Sequence, residues 1–200
     1  CFGTTDLEVY CYSSEDGFLG DGTMDAILIT VEAQAAQLRP VDFGPYMTLT
    51  GVSCSSSFCC ATSSDPVNVR CWGATGDIFP AASPYFSESG TNAANSGVDL
   101  FTVPFADLSA GGALTPTYIS VGNDFGCVLM SDARVVCFGR NDVGQLGTGD
   151  NADRRTAAEF DTNGDVYVTD GTSDLGDVVA IEAGDQFTCA LTSRGIIHCW

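Results

Sequence analysis

Residues 119–149 read ISVGNDFGCVLMSDARVVCFGRNDVGQLGTG, and the spacing of cysteine, aromatic residues and glycine in this stretch recurs along the chain. The stretch places an aliphatic residue eight positions before Cys127 and a phenylalanine two positions before it. A second cysteine, Cys137, follows ten positions later. Similar segments lie at residues 52–71 and 181–199. An internal repeat therefore decides the fold.

Pairs of cysteine and an aromatic residue mark the period of this repeat. They occur at residues 1–2, 71–72, 137–138 and 199–200, at intervals of 70, 66 and 62 residues. This period is typical of a propeller blade and is too long for leucine-rich or ankyrin units. A glycine-rich tail recurs at residues 16–23 and 143–150, whereas the middle unit lacks it.

The motif resembles the repeat of the regulator of chromosome condensation family, and residues 119–149 are its best copy. The matching positions of its tail are Gly139, Asn141, Gly144, Gln145, Leu146, Gly147 and Gly149. The resemblance covers almost the entire chain and implies an all-β fold, a β-propeller of four-stranded blades in a ring that usually has seven. About three blades would be present. Because both ends of the sequence fall within the motif, we expect a portion of a longer protein.

The expected organisation is a partial propeller over residues 1–200. Its blade units are marked at about 1–71, 72–137 and 138–199. Inserted loops are expected at about 79–117 and 151–177, where the sequence matches the repeat by position only.

Each interval between two cysteines of a unit predicts a strand, a polar turn and a return strand. The two cysteines would then face each other across a hairpin, at a distance that a disulfide can bridge. The predicted disulfides are Cys60 with Cys71, Cys127 with Cys137, and Cys189 with Cys199. The alternative is free, buried cysteines that act as small hydrophobic residues.

Four cysteines remain: Cys1, Cys11, Cys54 and Cys59. The repeat places the partner of Cys1 upstream of the sequence, and Cys11 could bond to Cys54 or Cys59. Sequence alone does not determine this connectivity. No Cys-x-x-Cys motif is present, and the single histidine, His198, lies in a predicted strand. We therefore expect neither a structural zinc ion nor another cofactor.

Glycines of the tail are predicted to connect one blade to the next, where the chain turns sharply and positive φ is needed. Gln145 is predicted to bridge backbone groups of neighbouring turns. A phosphate-binding loop is the competing interpretation, but the segment lacks the lysine and the following helix that such a loop requires.

Asp161, Asn163 and Asp165 are spaced like the first oxygen ligands of a calcium loop. Gly164 comes one position too early for an EF-hand, and the expected glutamate is missing. Because Asn-Gly between β-rich runs is also typical of a hairpin turn, we favour a hairpin and keep calcium as the alternative.

The charge of the chain excludes two classes of partner. Asp and Glu number 26 against 7 basic residues, all of them arginine, and the formal net charge is −19. Nucleic acid and anionic membrane surfaces both require clustered basic residues. No apolar run approaches the roughly 18 residues of a membrane span.

With one histidine, the sequence offers no Ser-His-Asp or Cys-His arrangement, so we do not expect an enzyme. Paired cysteines and high acidity favour a secreted or cell-surface scaffold that binds other proteins or copies of itself, for example in a surface coat or filament. Ser- and Thr-rich loops are candidate positions for O-linked glycans. The resemblance implies one alternative, a regulatory propeller similar to the family's nucleotide-exchange factor for a small GTPase or to its chromatin-binding relatives. Another alternative is a carbohydrate-active or carbohydrate-binding propeller.

Overall fold

A computed structural model shows the repeat cores and part of the segments that connect them. The residues that the structure describes are 2–3, 9–10, 41, 43, 48–56, 58–65, 67–73, 101–103, 114–155, 168, 175 and 177–200. Cys1, Cys11 and residues 161–165 lie outside this set, and so do the predictions made for them.

The described residues form β-strands and no helix, so the all-β prediction is confirmed. The strands are β1 (Phe2–Gly3), β2 (Val9–Tyr10), β3 (Thr48–Cys54), β4 (Phe58–Asp65), β5 (Val67–Gly73), β6 (Phe101–Thr102), β7 (Pro116–Val121), β8 (Phe125–Met130), β9 (Val135–Gly139), β10 (Val178–Ala183), β11 (Thr188–Thr192) and β12 (Ile197–Cys199). This part of the chain therefore contains no helix long and apolar enough to cross a membrane.

Consecutive strands pair antiparallel in separate sheets. Blade 1 is β3-β4-β5-β6, blade 2 is β7-β8-β9 and blade 3 is β10-β11-β12, while β1 pairs with β2. Of the four strands expected in a blade, blade 1 shows all four, and blades 2 and 3 show three among the described residues.

The turns between the two cysteine-bearing strands repeat in detail. In blade 2, Met130 N–H donates to the carbonyl of Arg134, and Ala133 has a φ of +67°. In blade 3, Thr192 N–H donates to the carbonyl of Ile196, and Gly195 has a φ of +77°. The polar turns that the sequence predicts at these positions are therefore found, and both need a left-handed residue.

The first strand of every blade carries an irregularity at the same place. The strand register shifts between Leu49 and Gly51 in β3, between Pro116 and Tyr118 in β7, and between Val178 and Ala180 in β10. An extra residue of this kind bends a strand and increases its twist. The repeat thus extends to the backbone conformation.

Apolar side chains of consecutive blades meet in two buried clusters. Cys60 and Cys71 of blade 1 share one cluster with Ile119 and Phe138 of blade 2. The second cluster brings Cys127, Cys137, Leu129 and Val135 of blade 2 together with Val178, Ile181 and Ala190 of blade 3. The core therefore lies between blades, and the disulfide-bearing face of one blade packs on the next blade.

Parts of the two expected insertions join the blades. Within residues 79–117, β6 adds to blade 1, and Val103 N–H donates to the Val69 carbonyl at 2.9 Å. Within residues 151–177, Val168 N–H donates to the Val135 carbonyl at 2.9 Å. Val103 and Val168 carry none of the cysteine or glycine markers of the repeat, so the repeat pattern did not predict these contacts.

Candidate functional site

Each blade contains a disulfide between directly opposed cysteines. The register of the antiparallel strands places Cys60 opposite Cys71, Cys127 opposite Cys137, and Cys189 opposite Cys199. All three pairs are bonded, and their Cα atoms lie 4.0, 4.1 and 4.1 Å apart, respectively. The structure therefore brings together the six cysteines that the sequence predicts as three staples.

Burial differs among these staples. Cys60, Cys71, Cys127 and Cys137 are buried between blades, whereas Cys199 of blade 3 is exposed. A buried disulfide adds apolar packing to its effect on chain entropy. In blades 1 and 2, the staple is thus also part of the core.

A fourth disulfide joins Cys54 to Cys59, whose Cα atoms lie 4.0 Å apart. The sequence left both cysteines open to Cys11, and the structure corrects this possibility, because each of them is bonded to the other. The reason is local: Cys54 and Cys59 lie opposite each other where β3 turns into β4.

Strand β4 is consequently fixed on both sides. Cys59 and Cys60 are adjacent, and successive side chains of a strand point to opposite faces. Cys59 bonds to β3, and Cys60 bonds to β5. A one-residue slip of β4 would break both bonds, so they fix the register of blade 1.

The inter-blade turn, residues 139–154, contains the glycines of the predicted tail. Gly139, Gly144, Gly147 and Gly149 all have positive φ, between +66° and +108°. A Cβ on Gly139 would also lie 2.5 Å from the Asp124 carbonyl oxygen. Backbone conformation and space both require glycine at position 139.

Asn141 holds this turn together from inside. Its side chain is fully buried, and its Oδ1 accepts a hydrogen bond from Leu146 N–H at 2.9 Å. Its Nδ2 donates to the carbonyls of Asp150 (2.9 Å) and Ala152 (3.1 Å). One side chain thus supplies partners for backbone groups that the turn leaves without a strand neighbour.

Gln145 acts within its own turn rather than between neighbouring turns. Its Oε1 accepts from Val143 N–H at 3.0 Å, and its Nε2 donates to Asp142 Oδ1 at 3.3 Å. Contact with the next blade uses its backbone carbonyl, which accepts from Trp200 Nε1–H at 2.9 Å. Gln145 therefore contacts blade 3 through its main chain, and the hydrogen bonds shown for its side chain stay within the inter-blade turn. Leu146, next to it, is buried in the cluster between blades 2 and 3.

Arg154 is a buried residue to which the sequence analysis assigned no role. Its guanidinium forms an ion pair with Asp150 at 3.0 Å and donates to the Ala152 carbonyl. Its backbone exchanges two hydrogen bonds with Gly139, both at 2.8 Å. A buried charge requires such partners. The sequence signal that could have indicated this ion pair is Asp150, which lies four residues before Arg154 in a glycine-rich turn.

Hydrogen bonds keep two carboxyl groups of this turn ionised. The side-chain hydrogen bond from Gln145, with help from Arg140, lowers the pKa of Asp142 below its ordinary value. For Asp150, burial acts to raise the pKa, but hydrogen bonds from Arg154, Ala152 N–H and Thr148 outweigh burial and lower it. Both groups are stabilised as carboxylates.

Five of the six described arginines form ion pairs with aspartates of the fold. The ion pairs are Arg134 with Asp132, Arg140 with Asp124 and Asp142, Arg154 with Asp150, Arg155 with Asp153, and Arg194 with Asp177. Arg70 donates to the Phe43 carbonyl at 2.6 Å instead. The part of the chain seen here therefore presents no basic stripe for phosphate groups.

Reactive groups do not converge in the described residues. Among them, no cluster of three or more His, Cys, Asp or Glu side chains could hold a metal ion. His198 lies in β12 opposite Ala190. The polar side chains that do meet, around Asn141, are occupied in holding the inter-blade turn.

A family model for the regulator of chromosome condensation (RCC1) repeat matches residues 117–145 and 178–200. These two segments of the chain are similar to the repeat of this family. In the structure, the first RCC1 match spans blade 2 and the start of the inter-blade turn, and the second spans blade 3.

Solved structures show the same fold. The chain resembles Prp20p from Saccharomyces cerevisiae with a TM-score of 0.58 and 16% identity, covering 100% of this chain and 42% of that one. For yeast RCC1 (Prp20) bound to Kap60, the TM-score is 0.56 and the identity is 16%. The match covers 96% of this chain and 39% of that one. For human WBSCR16, the TM-score is 0.52 and the identity is 16%. The match covers 81% of this chain and 37% of that one. The predicted propeller architecture is confirmed.

The chain spans about two fifths of the length of these propellers. A comparison with curated proteins found no match.

Proposed function

We propose that this chain is part of a non-enzymatic, extracellular β-propeller whose disulfide-stapled blades act as a protein-interaction or structural scaffold. The observation that carries the proposal is the state of the cysteines. All eight that the structure describes form disulfides, and every blade has at least one. Disulfides persist in oxidising compartments and are rare in the cytosol.

Proteins, including further copies of the same molecule, are the partners that fit this surface. Five of its described arginines are paired with aspartates, so nucleic acid gains little from this surface. A coat or filament subunit fits an acidic, covalently stapled module, and O-linked glycans on the Ser- and Thr-rich segments fit the same location. The units 1–71, 72–137 and 138–199 would form a portion of the complete ring.

Mapping of disulfides in the native protein tests this proposal. Cells are fractionated in the presence of an alkylating agent, and peptides are analysed by mass spectrometry without reduction. We expect the four disulfides intact and the protein in the secreted or surface fraction. Alkylated Cys60 and Cys127 in a cytosolic fraction would contradict the proposal.

A regulatory propeller is the second candidate, favoured by the likeness to Prp20p, whose structure was reported with its binding properties to Gsp1p and histones. The simplest test measures the release of a fluorescent nucleotide from a small GTPase in the presence of this protein. The scaffold proposal predicts no acceleration at a tenfold excess of this protein, whereas saturable acceleration would establish the regulatory role instead.

A further inference from the structure

Three blades close the same turn between their first and second strands. In each blade, the residue that follows the first strand donates its N–H to the carbonyl of a phenylalanine three residues later, at 2.8 Å. The pairs are Ser55 and Phe58, Gly122 and Phe125, and Gly184 and Phe187. Of these three turns, the one in blade 1 also has a disulfide, Cys54–Cys59. The hydrogen bond thus forms with or without a covalent bond beside it.

The positions that this disulfide joins hold other residues in blades 2 and 3. Blade 2 places Val121 opposite Gly126, and blade 3 places Ala183 opposite Thr188. Neither pair can form a covalent bond, and both blades keep the strand pairing at this point. The additional disulfide is therefore a feature of blade 1 and not of the repeat.

The two cysteines of this disulfide differ in exposure. Cys54 is exposed at the end of β3, whereas Cys59 is only 8% exposed. Cys59 belongs to a buried apolar cluster that also contains Ala61 and Trp72. A thiolate opens a disulfide by attacking one sulfur and expelling the other, and access decides which sulfur is attacked. Attack at Cys54, with Cys59 as the leaving group, is the accessible route.

The disulfides between the blades are closed to such an attack. Cys60, Cys71 and Cys127 are 0% exposed, and Cys137 is 2% exposed. A thiolate reaches a buried sulfur only after the surrounding structure opens, which costs free energy. Exchange in the folded protein should therefore begin at Cys54.

Blade 1 keeps a covalent restraint after its exposed disulfide opens. Cys60, which follows Cys59 on β4, stays bonded to Cys71 on β5. The Cys59 thiol remains in its apolar cluster, where a thiol packs as a small hydrophobic residue. The open form should therefore remain folded.

Blade 3 does not have this combination, although it also has an exposed cysteine. Cys199 is exposed, but its bond to Cys189 is the disulfide that joins β11 to β12. The described part of blade 3 contains no second disulfide, so opening of this bond leaves its hairpin without a covalent restraint. Blade 1 thus combines an accessible disulfide with a second one that preserves the fold.

We propose that the Cys54–Cys59 disulfide is a thiol-exchange site, at which a thiol from solution becomes covalently attached to blade 1. The incoming thiolate attacks Sγ of Cys54, the bond between the two cysteines breaks, and Cys59 leaves with the electron pair of that bond. Cys59 then takes up the proton that the incoming thiol has lost. One thiol and one disulfide stand on each side of this reaction, so no oxidant is needed.

The ligand of this site is a thiol, carried by a small molecule such as glutathione or by a cysteine of a polypeptide. The inference concerns the chemistry of one bond in the purified protein. It therefore does not depend on the extracellular location proposed above.

Peptide mapping of the folded protein tests the proposal. The purified chain with its disulfides intact is incubated with reduced glutathione at about pH 8, where a useful fraction of the thiol is ionised. Samples are stopped with acid and N-ethylmaleimide and are mapped by mass spectrometry without reduction. Early samples should contain glutathione on Cys54 and N-ethylmaleimide on Cys59. This product should form at least about tenfold faster than any product of the Cys60–Cys71 or Cys127–Cys137 bond.

A matched pair of variants tests the direction of attack. Cys59→Ser leaves a thiol at position 54, and Cys54→Ser leaves a thiol at position 59. In the folded proteins, iodoacetamide should alkylate the first thiol at least about tenfold faster than the second, because Cys54 is exposed and Cys59 is buried. Equal rates would contradict the proposed direction.

A second arm replaces glutathione with a short peptide that has one cysteine. Adducts with both probes would extend the site to polypeptide thiols, whereas an adduct with glutathione alone would restrict it to small thiols. Far-UV circular dichroism of the adduct should match that of the starting protein. The proposal would be overturned if the Cys54–Cys59 bond opened no earlier than the buried disulfides, if the adduct formed on Cys59, or if the β-sheet signal were lost on opening.

Discussion

Blades 1 and 2 close the same turn by different means. In both, the residue five positions before the first cysteine donates its N–H to the carbonyl of the phenylalanine three residues later, at 2.8 Å. Blade 2 has Gly122 at this position, where a Cβ would lie 2.1 Å from Phe125 Cε1 and 2.6 Å from the Gly184 carbonyl oxygen. Blade 1 has Ser55 there, together with the Cys54–Cys59 disulfide.

Blade 2 thus depends on close packing of a ring against bare backbone, and blade 1 depends on a covalent bond. Ser55 Oγ additionally lies 3.3 Å from both the N and the carbonyl oxygen of Phe58. The repeat therefore preserves the path of the chain and not the interaction that maintains it. Substitutions at equivalent positions should have unequal effects, and this inequality can be measured.

Gly122→Ala should have the largest effect of any single substitution. The added methyl group has to displace the Phe125 ring and the backbone of blade 3, which we expect to cost about 3 kcal/mol of unfolding free energy. Urea denaturation at pH 7 measures the change. Ser55→Ala is the matched control and should cost less than about 1 kcal/mol, because the Oγ contacts with Phe58 that it removes are long, at 3.3 Å. Equal losses would mean that the turn of blade 1 is packed as tightly as that of blade 2.

Asn141→Ala should rank next, because it removes the non-covalent centre of the inter-blade turn that follows blade 2. The Leu146 N–H and two carbonyl groups would lose their partners, at a cost of about 2 to 3 kcal/mol. The same denaturation experiment applies. Asn151→Ala is the control, since its exposed side chain makes one 3.1 Å hydrogen bond to the Asp142 carbonyl. A loss of unfolding free energy no larger than that of the control would show that Asn141 does not stabilise the turn in this way.

Removal of the staple that distinguishes blade 1 should cost less. Its loop spans five residues, so Cys54→Ala with Cys59→Ala should lower the unfolding free energy by about 2 kcal/mol. Cys127→Ala with Cys137→Ala opens a ten-residue loop and should cost about 3 kcal/mol, since it also leaves a cavity between blades. The reverse order would show that the turn of blade 1 depends on its disulfide more than loop length implies.

The periodic part of the molecule could be predicted from sequence. A cysteine, a polar turn and a second cysteine at constant separation specify a hairpin and the residues that face each other across it, as in Cys127 and Cys137. Glycines of the tail were predictable for a similar reason, because positive φ leaves few other choices at Gly139 and Gly147.

Other features depend on contacts that no local pattern encodes. Arg154 has a side chain typical of a surface, and its burial follows only from the way the turn folds back on Gly139. Strand β6 is two residues long and far from its partner β5 in sequence. The Cys54–Cys59 disulfide is different, because two cysteines on either side of three serines are a local signal for a hairpin and its bond could have been predicted.

Acid should weaken the turn after blade 2 and leave the Cys54–Cys59 bond of blade 1 intact, which gives the smallest expected effect. The pKa of Asp150 and that of Asp142 are lowered in the folded protein. Their contribution is therefore complete above the unfolded pKa of about 3.9 and is lost as pH falls through the lower folded values. A disulfide has no proton to gain in this range. The readout is Trp200 fluorescence, because its indole N–H donates to this turn at the Gln145 carbonyl.

The titration is best made in a Trp72→Phe background, where Trp200 is the single tryptophan. Phenylalanine is suitable at position 72 because the buried Trp72 Nε1 has no hydrogen-bond acceptor among the described residues. We expect the emission of Trp200 to change below about pH 4 and the change to shrink in Asp150→Asn, whose amide no longer titrates. If Asp150→Asn and the parent titrate identically, the acid sensitivity belongs to other carboxylates. The comparison of blades 1 and 2 would then rest on the Gly122, Asn141 and cysteine variants.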